Sequence, residues 1–134
     1  MRRTRDAGSV AVFFSIIAAG WVAMLMLVIV GGGRVRAYQR ADNIAAEAAR
    51  TAGQAIELGP AVEGGPKRID SDRARQAAQA YFAAVGATGT VTIDDDRTLR
   101  VTATIGYDNP SGIPYLGGGT WYATGSATAV LLID

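Results

Sequence analysis

From Ser9 to Val30 the chain reads SVAVFFSIIAAGWVAMLMLVIV, 22 positions without a charged residue. As an α-helix this run would be roughly 33 Å long at ~1.5 Å per residue, against a bilayer hydrocarbon core of about 30 Å. A buried core helix is one alternative, but an uncharged run of this length in a chain of 134 residues argues against it. A cleaved secretory signal is another. Signal h-regions are shorter, about 7–15 residues, and close on a small-x-small site. Here the run ends instead in Gly31-Gly32-Gly33 followed by Arg34-Val35-Arg36, and that charged exit fits a retained anchor. The sequence therefore predicts a basic leader over 1–8 and a transmembrane helix over 9–31.

Arg2, Arg3 and Arg5, with the α-amino group, precede the span, and Arg34, Arg36 and Arg40 follow it. The positive-inside count tips slightly towards a cytoplasmic N-terminus. The expectation is a single-pass protein of the cell membrane with its C-terminal domain outside the cytoplasm. Within the span, Ala11, Ser15, Ala19 and Ala23 recur every four residues and so share one side of a helix. Small-xxx-small spacing lets a second helix approach closely in lipid, where no hydrophobic effect drives helices together. Chance is the competing account in a segment this rich in alanine.

Past the glycine triplet, Ala41, Ile44, Ala45, Ala48, Ala52 and Ile56 follow helical spacing, while Arg40, Glu47, Arg50 and Gln54 fall off that stripe. This reads as an amphipathic helix over 32–58. Gly31, Gly32 and Gly33 each cost about 1 kcal/mol of helix propensity relative to alanine, which suits either a hinge at the membrane exit or a close backbone contact. Residues 59–68, with their prolines and glycines, form a linker. Ser71 or Asp72 then caps a second helix ending near Gly86, with Ala77, Ala80, Tyr81, Ala84 and Val85 as its buried stripe. From Thr90 the period falls to two. Val91 and Ile93, then Leu99, Val101, Ala103 and Ile105, alternate with polar residues on either side of Asp94-Asp95-Asp96-Arg97, which is a hairpin pattern. A Gly/Pro-rich loop leads to a third strand with Trp121, Ala123, Ala127, Ala129 and Leu131 on one face. The predicted class is α+β: a transmembrane helix continuing into an amphipathic one, then one helix packed on a small three-stranded antiparallel sheet, with 69–134 as the extracytoplasmic domain.

Chemistry is hard to find. There is no cysteine, so neither disulfides nor thiolate metal sites are available, and no histidine, the commonest general base and metal ligand. The net charge of +1 and the scattered basic residues give no surface for nucleic acid. Asp94, Asp95 and Asp96 are the one acidic cluster, but a tight turn closed by Arg97 suits solvent better than the six to eight oxygens of a calcium site. Ser111 and Ser126 lack a nucleophile-elbow pattern. Neither glycine triplet is followed by the lysine of a phosphate-binding loop. No enzyme, cofactor, metal site or small-molecule substrate is expected.

Several short motifs resemble the TadE/TadG-like proteins of tight-adherence (Tad, or Flp) pilus systems, especially those of actinobacteria. They are Arg5 to Ser9, the apolar helix to Val30, Gly33-Arg34, Gln39-Arg40-Ala41, Ala48-Ala49-Arg50 and, at the far end, Gly125-Ser126-Ala127-Thr128-Ala129. The likeness is strongest over about the first 55 residues. It implies a pseudopilin-like architecture and a non-enzymatic, minor pilin-like or accessory subunit of a pilus-assembly or secretion apparatus. Other pilin-like or pilus-assembly membrane proteins would be its partners. In members cut by a prepilin peptidase a Glu stands five residues after the processing glycine; here Gly8 is followed at that distance by Phe13. The Asp that TadG-like relatives carry before the exit glycines is replaced by Val30. A second reading, from the residues alone, is a membrane-tethered module that grips a cell-wall or surface ligand through the loop Asn109 to Gly119 or through Tyr115, Trp121 and Tyr122.

Overall fold

The computed structural model describes residues 3–55, 64, 69–94, 97–113 and 118–130, with the backbone alone for residues 3–7. A first helix, α1 (Arg3–Gly53), runs unbroken through the predicted span, the glycine triplet and the alanine-rich stripe. Helix α2 (Ser71–Val85) starts one residue earlier than the sequence suggests, because Asp70 is the cap: its Oδ1 accepts from the Arg73 amide at 3.1 Å. Gly86 ends the helix in the left-handed region at φ 68°, where glycine carries no Cβ penalty, and its N–H donates to the Phe82 carbonyl. Strands β1 (Thr88–Asp94), β2 (Thr98–Asp108) and β3 (Thr120–Val130) form one antiparallel sheet in that order. The α+β expectation of a long apolar helix, a second helix and three antiparallel strands is met.

Alternation along the strands sorts the sheet into two faces. Val91 and Ile93, Leu99, Val101, Ala103 and Ile105, and Trp121, Ala123, Ala127 and Ala129 point towards the helices, as predicted. The other face is a lattice of hydroxyls. Cross-strand rows align Thr88 with Thr104 and Thr124, then Thr90 with Thr102 and Ser126. The Thr104 and Thr124 hydroxyls lie 3.0 Å apart. Threonine's branched side chain favours strand backbone without demanding a second buried layer.

Helix α1 covers β2 and β3, and α2 covers β1. The predicted stripe Ala41, Ile44, Ala45, Ala48 and Ala52 is buried, joined by Ala37 and Ala49; Ile56, like Leu131, Asp95 and Asp96, lies outside the described residues. Among the described residues ten of the sixteen buried hydrophobics are alanine, so helix and sheet meet almost backbone to backbone. At the closest point Gly125 faces the Ala41 and Asp42 backbone, and a Cβ there would overlap both. Bulk comes from few residues: Phe82, Leu99 and Val101 are the largest fully buried side chains.

The α2 stripe needs correcting. Ala74, Ala78 and Phe82 are buried, Ala77, Tyr81 and Val85 are half-buried, and Ala80 and Ala84 are exposed. The inward face is rotated because the Phe82 ring packs over Gly89 of β1, where no side chain intervenes. Both open sheet edges are partly closed by side chains. The Ser126 amide of β3 donates to the Asp42 carboxylate at 3.3 Å, and the Gly89 carbonyl of β1 accepts from the Gln79 amide at 3.2 Å. Such contacts blunt edges that otherwise invite pairing with other chains.

Candidate functional site: the exposed half of α1 and its junction with the domain

The two halves of α1 have opposite surroundings. From Ala37 onwards one face is buried, whereas none of the most apolar eighteen-residue stretch of the helix is. Phe14 and Trp21 are each 64% exposed and Leu27 75%. By length and composition α1 can cross a membrane. A water-soluble protein rarely leaves so large a contiguous apolar surface bare.

Ala11, Ser15, Ala19 and Ala23 all lie exposed on this bare half. The Ser15 hydroxyl donates to the Ala11 carbonyl at 2.8 Å, so its polar group is satisfied inside the helix. At about 100° per residue, these four positions fall in an arc of about 120° that also contains Gly33, Ala37, Ala41 and Ile44. The small-residue stripe therefore overlaps the side of α1 that carries the domain, whose buried positions continue beyond the arc to Ala45, Ala49 and Ala52. Gly8 is also exposed and helical, with no neighbour in reach.

The glycine triplet divides into two parts. Gly31 and Gly32 have open space where a Cβ would stand, while Gly33 lies directly against the Pro110 ring. The helix continues through all three. Pro110 is held there by a compact turn at the start of the β2–β3 loop. Asn109 Oδ1 accepts from the Ser111 amide (3.0 Å) and hydroxyl (2.8 Å), the Ser111 oxygen accepts from the Ile113 amide (3.2 Å), and Gly112 takes φ 64°. Asx turns of this kind fix a loop without secondary structure. Ser111, considered above for nucleophilic chemistry, is thus a turn residue, and Ser126 lies on the outer sheet face.

Around this contact gathers a set of aromatic and basic residues that lie far apart in the sequence. Tyr107 and Trp121, opposite each other in the β2–β3 register, meet edge to face at 6.0 Å and 88°. The Arg34 guanidinium lies 5.9 Å over the Tyr38 ring. A hydrogen bond to the Tyr38 side chain, with smaller charge contributions from Tyr38 and Tyr107, holds the Arg34 pKa above its usual value. Arg34, Tyr107, Thr120, Trp121 and Tyr122 line a groove of about 340 Å³, and Tyr122 is 69% exposed. A second groove, of about 440 Å³, runs along the loop between Asp108, Asn109, Ile113 and Thr120. Among the described residues no three carboxylates converge on one point. Tyr115 lies outside the described residues. In comparisons with known proteins the chain matches no family model, no curated protein and no solved structure.

Proposed function

We propose that this chain is a non-enzymatic, membrane-anchored structural subunit, and that it serves as a minor pilin-like or accessory component of a Tad-type pilus-assembly or secretion apparatus. One observation carries the reading: a single helix is bare and apolar along its first half and forms the wall of the domain core along its second. Such a helix ties the position of the folded domain to whatever the bare half contacts. In this reading the bare half spans the cell membrane with the N-terminus in the cytoplasm, and the domain stands outside. Partner helices pack on Ala11, Ser15, Ala19 and Ala23, and the domain docks on the same partners, since the stripe overlaps the side of α1 that carries the domain. The TadE/TadG-like sequence motifs supply the system; the helix supplies the mode of action.

The test is photo-crosslinking in intact cells from a probe at Ala19, with mass spectrometry of the adducts. Adducts to pilin-like helices or to an inner-membrane assembly platform are expected. The membrane-tethered binding module is the second reading, and the exposed Tyr122 beside its groove favours it. If the Ala19 probe meets only lipid while the domain retains a wall component, the helix is a tether and the second reading replaces the first.

A further inference from the structure

The groove between α1 and the start of β3 has a composition suited to a particular ligand. Its walls are a guanidinium (Arg34), an indole (Trp121), two phenols (Tyr107, Tyr122) and a hydroxyl (Thr120). Main-chain donors face the same side. The Ser126 amide turns away from β2 to reach Asp42 on α1, and the β2–β3 register is unbroken from Thr98–Val130 to Asp108–Thr120. Alternate residues of an antiparallel strand turn their N–H groups the same way, so Thr124, Tyr122 and Thr120 also face this edge. Arg34, Arg36 and Arg40 form no ion pair with a described residue; Arg36 and Arg40 line a neighbouring groove with Asp108, and Arg34 is the charged residue of the aromatic one. With Asp42 held on the β3 edge and Asp108 beside Arg36 and Arg40, three cations face two carboxylates, a net excess of one positive charge.

Height along α1 then says what lies there. The apolar run ends at Val30, and Arg34 is four residues on, about 6 Å at the rise of an α-helix. The polar layer on each side of a bilayer is roughly 5–7 Å deep. Pro110 packs on Gly33, so the β2–β3 loop is fixed at the same level. Tyrosine and tryptophan concentrate in that layer, where one end of the ring is apolar and the other wet. With α1 across a bilayer, the aromatic end of the domain would stand at the level of the headgroups.

We propose that this groove takes the phosphate of a phospholipid headgroup, with Arg34 as its cation and Tyr107, Trp121 and Tyr122 in the headgroup layer. The proposal rests on the reading that α1 spans a bilayer, and it would make the lipid surface a second fixed point for the domain.

The test uses the full chain in vesicles of mixed phosphatidylglycerol and phosphatidylcholine. It contains two tryptophans, at positions 21 and 121. In the Trp21→Phe protein, a spin label on the lipid headgroup should quench Trp121 more strongly than a label near the bilayer centre. In the Trp121→Phe protein, Trp21 should show the reverse order, a readout that needs only the helix and not a folded domain. Spin-labelled phosphatidylglycerol should quench Trp121 better than spin-labelled phosphatidylcholine, and Arg34→Gln should lower that preference about fivefold, the scale of one basic residue at an anionic surface. Arg34 is exposed, so its replacement leaves the core intact. If Trp21 is quenched from the bilayer centre while Trp121 is untouched by headgroup labels, the membrane reading stands and the seating on headgroups is overturned. If neither tryptophan responds, both fall. An anionic preference unchanged in Arg34→Gln overturns the phosphate assignment.

Discussion

Gly125→Ala adds one carbon, and its predicted cost follows from what that carbon would meet. A Cβ at this position overlaps the Asp42 amide nitrogen and the Ala41 carbonyl carbon of α1. These are backbone atoms, so no rotamer change relieves the clash; helix and strand must separate. Overpacking in a close-packed interior costs typically 1–3 kcal/mol, and a clash with backbone belongs at the upper end, about 3 kcal/mol. Separation also stretches the neighbouring bond from the Ser126 amide to the Asp42 carboxylate, now 3.3 Å, whose loss adds ~1 kcal/mol. A domain of this size has total stability near the lower part of the usual range of about 5–15 kcal/mol, so most of it would be removed. At about 4–8 °C per kcal/mol the melting temperature should fall by on the order of 15–30 °C. The measurement is a thermal melt of the full chain in micelles, followed by near-UV circular dichroism of the Tyr107–Trp121 pair. Far-UV signal would be dominated by α1, whose apolar half stays helical in detergent. Gly32→Ala is the internal control: it meets open space and should be neutral or stabilising by up to ~1 kcal/mol. A Gly125→Ala melt within about 2 °C of the parent would mean that α1 does not lie against β3 at this point, and the account of the core would fail.

Two further substitutions probe the other supports of the domain. Phe82→Ala removes its largest buried side chain and should cost about 3–5 kcal/mol, read as loss of the near-UV signal at ordinary temperature. Asp70→Ala removes the acceptor for the Arg73 amide and should cost about 1 kcal/mol by the same melt; its ion pair with Arg73 is largely solvent-facing and adds little.

The elements that were legible in the sequence are those whose burial is periodic and one-sided. The alanine stripe of α1 and the inward residues of β2 and β3 could be read because the opposite positions carry Arg, Glu or Thr. The inward face of helix α2 lies about one position from the predicted one, for the complementary reason. Alanines at 74, 77, 78, 80, 83 and 84 put small apolar residues on nearly every side, so periodicity is flat and the inward face is set by where Phe82 finds room. That room is Gly89, a vacancy supplied by another element. The cap shows a local version of the same ambiguity: Asp70, Ser71 and Asp72 are all competent, and the choice falls to the one whose oxygen reaches the amide three residues on. At the candidate site, the small-residue stripe and the exit glycines were visible as spacing. The contacts of Gly33 with Pro110 and of Asp42 with Ser126 were not, because each joins residues more than seventy positions apart, and no local pattern encodes such a meeting.

The continuity of α1 has a mechanical consequence for the proposed role. Had the glycine triplet been a free joint, the membrane half could contact any partner without constraining the domain. Gly33 is instead clamped by Pro110, itself held by the Asn109–Ser111 turn, and four residues later Ala37 enters the core. Rotation of the membrane half about its own axis is therefore transmitted to the domain from Gly33 upwards, leaving Gly31 and Gly32 as the weakly supported positions in the rod. A partner helix seated on Ala11, Ser15, Ala19 and Ala23 would lie beneath the domain, facing the end that carries the Pro110 loop. Packing in the membrane and docking outside it would then be one event on one surface. In the proposed role, that coupling would let a subunit with a core of few large side chains hold a defined orientation.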